Sequence, residues 1–188
     1  FDVVGKMRWL IRQKFNLKKI KVGHAGTLDP LATGLLIICT GRFTKKISEF
    51  QGLEKEYTGI ITLGATTPSF DLEKEVDQTF DTSHLNIESI KKAVDSMMGE
   101  QQQTAPIHSA KKVDGKRAYE LARAGKEVEI KSNLVYIKAF DVELTNLPEI
   151  PIVEDSKINQ AEPYEQGVNV KFRIVCSKGT YIRSIARD

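Results

Sequence analysis

Val168-Asn169-Val170-Lys171-Phe172-Arg173-Ile174-Val175-Cys176 decides the kind of fold this chain adopts. Val168, Val170, Phe172, Ile174 and Cys176 take every second position, and Asn169, Lys171 and Arg173 fill three of the four between. A side-chain period of two marks a β-strand with one face buried and the other in water. Leu134–Leu144 alternates in the same way, and Tyr57–Leu63 is a strand with apolar character on both faces. Leu35–Thr40 is a short buried strand. Ser109–Val113 is a strand running into an Asp114-Gly115 turn, and Glu127–Lys131 is another strand. Helical spacing covers residues 2–15, with Val3, Val4, Met7, Leu10, Ile11 and Phe15 on one face. It returns at Thr44–Phe50, at Ile87–Met98 (Ile90, Ala93, Val94 and Met97 inward, Gly99 as the stop), at Lys116–Ala124 and at Tyr181–Asp188. Residues 66–82 and 148–167 are acidic and without period, and read as loops. Helices mixed with hairpin-linked strands predict an α+β fold: one large, mixed but mainly antiparallel sheet flanked by helices.

The composition agrees with a globular domain. Of 188 residues, 40% are hydrophobic and 28% charged, which excludes a disordered chain. No apolar run approaches the ~20 residues of a membrane span, and the first ten residues lack the form of a secretory signal. A cytoplasmic protein with a single domain over residues 1–188 is expected. Cys39 and Cys176 sit in apolar runs and read as buried, reduced thiols. His24, His84 and His108 are scattered and no cysteines are paired, so no metal site is expected. The net charge of +3 is small but unevenly spread. Residues 1–60, 106–140 and 170–188 carry +6, +4 and +4, and the two segments between carry −5 and −6. Segregation of this kind arises on ordinary solvated faces, yet three basic blocks brought together would suit a polyanion.

Gly23-His24-Ala25-Gly26-Thr27-Leu28-Asp29-Pro30-Leu31-Ala32-Thr33-Gly34 carries the chemistry. Three glycines let a backbone turn sharply and approach a ligand closely. The stretch from Gly23 to Pro30 reads as a loop. Pro30 restricts Asp29 to an extended conformation, so a carboxylate is held rigidly beside a strand.

This run closely resembles the catalytic loop of the bacterial tRNA pseudouridine-55 synthases, the TruB family. Three further segments agree, in family order: Lys55-Glu56-Tyr57, the stretch from Gln103 to Arg123 (with Pro106, Ser109-Ala110, Lys111, Gly115-Lys116-Arg117 and Tyr119-Glu120), and Cys176-Ser177-Lys178-Gly179-Thr180-Tyr181-Ile182-Arg183-Ser184. The resemblance implies a pseudouridine synthase catalytic domain over the whole chain. The family's N-terminal strand and C-terminal RNA-binding domain lie outside residues 1–188. Two departures stand out. Thr66-Thr67-Pro68-Ser69-Phe70-Asp71 replaces a Thr-Asp-rich stretch, and His108 stands where an aromatic residue is common.

The implied reaction converts a uridine in the TΨC loop of tRNA, position 55, to pseudouridine. The N-glycosidic bond breaks, the uracil turns over, and C5 bonds to C1′. Nothing is oxidised, so no cofactor is implied. Asp29 is implied as the nucleophile, with three routes open: attack on the ring, attack on C1′, or elimination at C2′. Arg183 is implied as the cation paired with Asp29, and Tyr57 as the ring that stacks on the target base and shares in proton transfer. His24 is implied to help displace the target base from its stack or to occupy the space it leaves. Gly26, Thr27, Leu28, Lys111, Lys112, Lys178 and Tyr181 are the remaining implied substrate contacts. The partner is the TΨC stem-loop of tRNA, with no membrane, no obligate protein partner and a monomeric state expected. The three basic blocks coincide with the motif regions, as salt-sensitive RNA binding requires.

Other readings compete. A guide-RNA-dependent relative would carry extra basic tails. An RNA-binding or tRNA-folding protein with idle chemistry would lack Asp29 or Arg183. A glycosidase would need a second carboxylate near the first, whereas the acidic residues cluster elsewhere.

Overall fold

Helix α1 (Asp2–Lys14) buries Val4 and half-buries Met7 and Ile11, whereas Val3, Leu10 and Phe15 of the expected stripe are exposed. The computed structural model describes residues 2–107, 109, 111–113, 116–118, 130–145 and 164–188. Asn16 ends α1 in the left-handed region at φ +48°. Its N–H donates to the Gln13 carbonyl at 3.4 Å, and the Leu17 N–H donates to the Arg12 carbonyl at 3.0 Å. That pair of bonds is a Schellman cap, which satisfies the last carbonyls and turns the chain back.

The chain divides into two units, Phe1–Leu53 and Glu54–Asp188. In the first, β1 (Val22–His24) pairs antiparallel with β2 (Ile38–Thr40), Gly23 facing Cys39. Gly23 and His24 are therefore strand residues rather than loop residues. Strand geometry is possible there because a Cβ on Gly23 would come within 2.7 Å of Ile47 Cδ1, and glycine leaves that space. The strand expected over 35–40 shrinks to its last three residues, and Leu35 is 85% exposed instead of buried. A 3₁₀ turn (Gly41–Lys46) and α2 (Ile47–Gly52) stand where one helix was expected over 44–50.

The second unit runs β3 (Lys55–Leu63), β4 (Ala65–Thr66), β5 (Gln78–Thr79), α3 (Ile87–Ser96), β6 (Gly99–Gln103), β7 (Lys112–Val113), β8 (Lys116–Arg117), β9 (Asn133–Leu144), β10 (Val168–Cys176) and α4 (Ile182–Arg187). Four strands form one sheet in the order β3-β10-β9-β6, every pairing antiparallel. The period-two stretch from Val168 to Cys176 is β10, with the bounds expected. Val170, Phe172, Ile174 and Cys176 are buried, and Lys171 and Arg173 are exposed. Ile137, Phe172, Ile174, Cys176 and Ile185 make the core, so α4 lies on the inner face of this sheet. Phe172 faces Gly59 across the strands, where a Cβ would lie 2.9 Å from its ring. The ring also meets Phe140 edge-on, 6.4 Å between centroids. Between Val175 and Cys176 the register on β9 slips from Ala139 to Ile137, which leaves Lys138 as an extra, bulged residue. On the outer face Arg173 pairs with Glu56 at 2.7 Å and Asp141 at 3.0 Å.

Several expectations are corrected. β6 was not anticipated, because Gly-Glu-Gln-Gln-Gln has no apolar alternation; as an edge strand it is held by backbone pairing to β9. Lys116 and Arg117 are strand residues paired with Val113 and Lys112, so the helix expected from Lys116 does not begin there. Residues 119–129, with the rest of that helix and most of the 127–131 strand, lie outside the described residues, as do 146–163, 108 and 114–115. Ile130 and Lys131 are not in a strand, and Ser109 and Lys111 stand outside β7. The 66–82 segment contains the small β4–β5 hairpin. On α3, Ile90 and Val94 are buried as expected, but Ala93 is exposed. Asn86 caps that helix reciprocally with Ser89, and Gly99 follows it at φ +83°, a left-handed conformation that glycine adopts without strain. Cys39 and Cys176 are both buried free thiols. Among the described residues no helix is long and apolar enough to cross a membrane.

Candidate active site

In the first unit the loop between β1 and β2 presents Asp29. The Ala25 N–H donates to the Ile37 carbonyl at 3.0 Å and closes the neck of the loop. His24, the last residue of β1, turns its ring back so that Nδ1 donates to the Gly26 carbonyl. The Asp29 carbonyl accepts the Ala32 N–H at 3.0 Å, with Pro30 second in that four-residue turn. Asp at the first position and Pro at the second are the favoured residues of a tight turn. Asp29 and Thr27 are exposed, Gly26 and Leu28 half-buried. Gly34 takes φ +144°, and Leu28 Cδ2 lies 3.9 Å from where its Cβ would be, so the two ends of the loop come together. The result is a carboxylate on a short turn whose backbone is tied on both sides.

In the second unit α4 carries Arg183. Its Nη1 lies 3.4 Å from Asp71 Oδ2 and donates to the Ser69 carbonyl at 3.2 Å. Asp71 is itself fixed: its Oδ1 accepts from Ser69 Oγ at 2.6 Å and from the Glu73 N–H at 3.0 Å. Thr67 Oγ1 donates to the Asp71 carbonyl at 2.7 Å. Between them Phe70 takes φ +56°, a conformation that costs a non-glycine residue roughly 1–3 kcal/mol and persists only where its surroundings demand it. The Arg187 guanidinium lies 5.6 Å from the Phe70 ring. Ser184 Oγ and Arg187 Nη2 both donate to the Thr104 carbonyl, at 2.8 and 3.2 Å. Gln103 binds both ends of the Tyr181 backbone, at 2.8 and 3.2 Å. The start of α4 is thus clamped from two sides.

Tyr57, on β3, faces Ile174 in register and shares its face of the sheet, the face on which Ile182 and Ile185 of α4 pack. It is 36% exposed, so the ring is packed yet accessible. Tyr181 packs on the small Ala105–Ala118–Ile130 cluster. The Lys111 ammonium donates to the Lys131 carbonyl and to Asn133 Oδ1 at 3.1 Å, so it braces the 131–133 segment. Lys112 lies on β7, and Lys178 is exposed in the turn before α4. Within the second unit Tyr181 and Arg183 stand at the start of α4, and Tyr57 lies on the sheet face against which that helix packs. His24, Gly26, Thr27, Leu28 and Asp29 gather on one loop of the first. Sequence reasoning missed Ser69, Asp71, Thr67 and Gln103. The available signal was the departure at Thr66–Asp71, a run of hydroxyls ending in a carboxylate. A cavity of about 180 Å³ lies beside this loop, lined among others by Ile60, Thr62, Phe70, Asp71 and Arg187.

The architecture is α+β, and solved structures share it. The chain superposes on a chain of a Cbf5–Nop10–Gar1 complex with a TM-score of 0.54 and 20% identity, over 96% of this chain and 37% of the other. A substrate-bound H/ACA RNP gives 0.51 and 19%. At these identities the likeness concerns the fold alone. Residues 12–182 match the TruB family pseudouridylate synthase (N terminal domain). The tRNA pseudouridine synthase B of Flavobacterium johnsoniae is 53% identical over all of this chain and 74% of its own length. That of Phocaeicola vulgatus is 52% identical over all of this chain and 72% of its own. The chain belongs to the TruB family of pseudouridylate synthases, and so to the isomerases.

Proposed function

We propose that this chain isomerises a uridine in the TΨC loop of tRNA to pseudouridine, with Asp29 as the nucleophile. The observation that carries this reading is the Asp29 turn. A carboxylate is exposed on a loop tied at Ala25–Ile37 and Asp29–Ala32, inside a chain half identical to enzymes named tRNA pseudouridine synthase B. A nucleophile must arrive in position without reordering its backbone, and this loop meets that demand.

The balance of the reaction is simple. The C1′–N1 bond breaks and a C1′–C5 bond forms. C5 loses its proton and N1 gains one, so product and substrate are isomers. Arg183 serves as the cationic counterpart of the nucleophile, and Tyr57 stacks on the flipped uracil and takes part in the C5 proton transfer. His24 and its loop neighbours Gly26, Thr27 and Leu28 line the space the base enters. Lys111, Lys112, Lys178 and Tyr181 contact the surrounding RNA. The enzyme works as a cytoplasmic monomer.

The test is pseudouridine formation on an unmodified tRNA transcript by the native protein and by Asp29→Asn. Product at the TΨC-loop uridine with the native protein alone is expected. Binding without product from either protein would favour a tRNA-folding role instead.

A further inference from the structure

We infer that the C-terminal half of α1 and the segment leading into β1 form a phosphate track that grips a double-stranded stem of the RNA substrate. Arg8, Arg12, Lys18, Lys19, Ile20 and Lys21 line an open cleft of about 380 Å³ within the first unit. All five cations are exposed. From residue 3 to residue 28 the chain holds no Asp or Glu, so nothing local neutralises them.

The cleft is built rather than accidental. The Asn16 cap folds residues 17–21 back along α1, which places Lys18 and Lys19 beside Arg8 and Arg12. Two more bonds hold this arrangement. Arg12 Nε donates to the Leu17 carbonyl at 3.3 Å, and Arg8 Nη2 donates to the Val22 carbonyl at 3.3 Å. Each guanidinium is oriented by one bond and keeps further N–H groups for a ligand. Preorganised cations lose less entropy when a phosphate arrives.

The lining selects the partner. No aromatic ring lines the cleft, so it offers no platform for stacking unpaired bases. Nor is there a carboxylate or amide to read base edges. Cations alone recognise the sugar-phosphate backbone, which positions RNA without reading its sequence. A stem displays that backbone at regular spacing. The cleft ends at Lys21, whose carbonyl accepts the Gly41 N–H at 2.8 Å, and β1 then runs directly to His24 and the Asp29 loop. A stem held there would be continuous with RNA delivered to that loop. The inference rests on the proposed RNA substrate, and its test separates the two.

The experiment compares Lys18→Gln/Lys19→Gln with the native protein. A second pair, Lys91→Gln/Lys92→Gln, removes the same charge from the exposed side of α3. Each protein is titrated with an unmodified tRNA transcript and with a plain RNA hairpin over a range of salt, and thermal melting confirms folding. The cleft pair should bind both RNAs roughly ten- to thirtyfold more weakly near 0.1 M salt, with a salt slope shallower by about 1.5. The α3 pair should stay within about threefold of native, as expected for charges that release no counterion on binding. KM should rise with kcat at saturation little changed, since a backbone grip binds ground and transition states alike. Equal effects from the two pairs, or none from the cleft pair, would overturn the track. If the native protein forms no pseudouridine but the cleft pair still weakens hairpin binding, the track stands and the proposed reaction falls.

Discussion

Arg183 Nη1 lies 3.4 Å from Asp71 Oδ2, with only 11% and 17% of the two side chains exposed. The sequence pointed to Asp29 as the partner of this arginine. Within its own unit the guanidinium is held by Asp71 and by the Ser69 carbonyl. Asp71 thus sets where the Arg183 charge can act.

Replacing Asp71 by Asn should lower stability and slow turnover. Breaking a well-buried pair from one side costs about 3–5 kcal/mol at most, and the amide that replaces the carboxylate recovers part of it. Asp71→Ala should be worse, because Ser69 Oγ and the Glu73 N–H lose their acceptor as well. Urea unfolding with single-turnover rates checks both. Native stability and rate in Asp71→Ala would show that the pair does not matter.

Asp29→Asn should abolish product and leave tRNA affinity and melting temperature within error of native. Asp29 is exposed, and the backbone carbonyl that closes its turn is unchanged in the variant. Filter binding, calorimetry and a tRNA turnover assay check the three quantities.

Gly59→Ala should destabilise the sheet by about 1–3 kcal/mol, the usual effect of overpacking a core. The new methyl would stand 2.9 Å from the Phe172 ring, which Phe140 braces edge-on. Gly23→Ala should cost less, since its obstacle is the flexible end of Ile47. Denaturation midpoints of the two variants test the ranking.

Burial pushes the Cys176 thiol above its ordinary value of 9.0. The unfolded chain then releases this proton before the folded one does. The contribution to stability is full below about pH 9 and is lost as pH rises through the folded value. Stability of the native protein should fall on that alkaline limb, and Cys176→Ala should fall less. The same burial predicts slow alkylation of Cys176 under native conditions, readable by mass spectrometry.

Asn86→Ala should remove the bond from the Ser89 N–H to the Asn86 side chain, leave the one from the Asn86 N–H to Ser89 Oγ, and cost roughly 1 kcal/mol, seen as an earlier unfolding midpoint.

What could be read from the chain alone followed from where the determinants lie. β10 and β9 were legible because each buries one face and a period of two records that burial locally, whereas β3 was legible as a β-rich run apolar on both faces. β6 was not, because its stability comes from pairing with β9 and from the Gln103 amide that clasps Tyr181. Lys116 and Arg117 carry helical spacing, but cross-strand pairing with Val113 and Lys112 overrides it. At the site, the turn at Asp29 and the motif around Arg183 were legible as motifs. The hold of Asp71 on Arg183 was not, since it joins α4 to a loop more than a hundred residues upstream. The Asn16 cap was likewise hidden, because asparagine is compatible with many turns and only its φ reveals the role.

The order of strands also dictates a timetable for synthesis. β3 emerges early from the ribosome, yet its sheet neighbour β10 lies more than a hundred residues further on. Until residues 168–176 appear, β3 is an unpaired edge and β9 lacks the neighbour that joins it to β3. β1 and β2, by contrast, can close as soon as residue 40 is made. The loop that presents Asp29 is therefore assembled while the sheet that carries Tyr57 is still waiting for its middle strand. Long-range pairing of this kind slows folding and exposes strand edges to neighbouring chains. Nascent chains halted before residue 168 should aggregate or recruit chaperones more than chains long enough to free residues 168–176 from the ribosome.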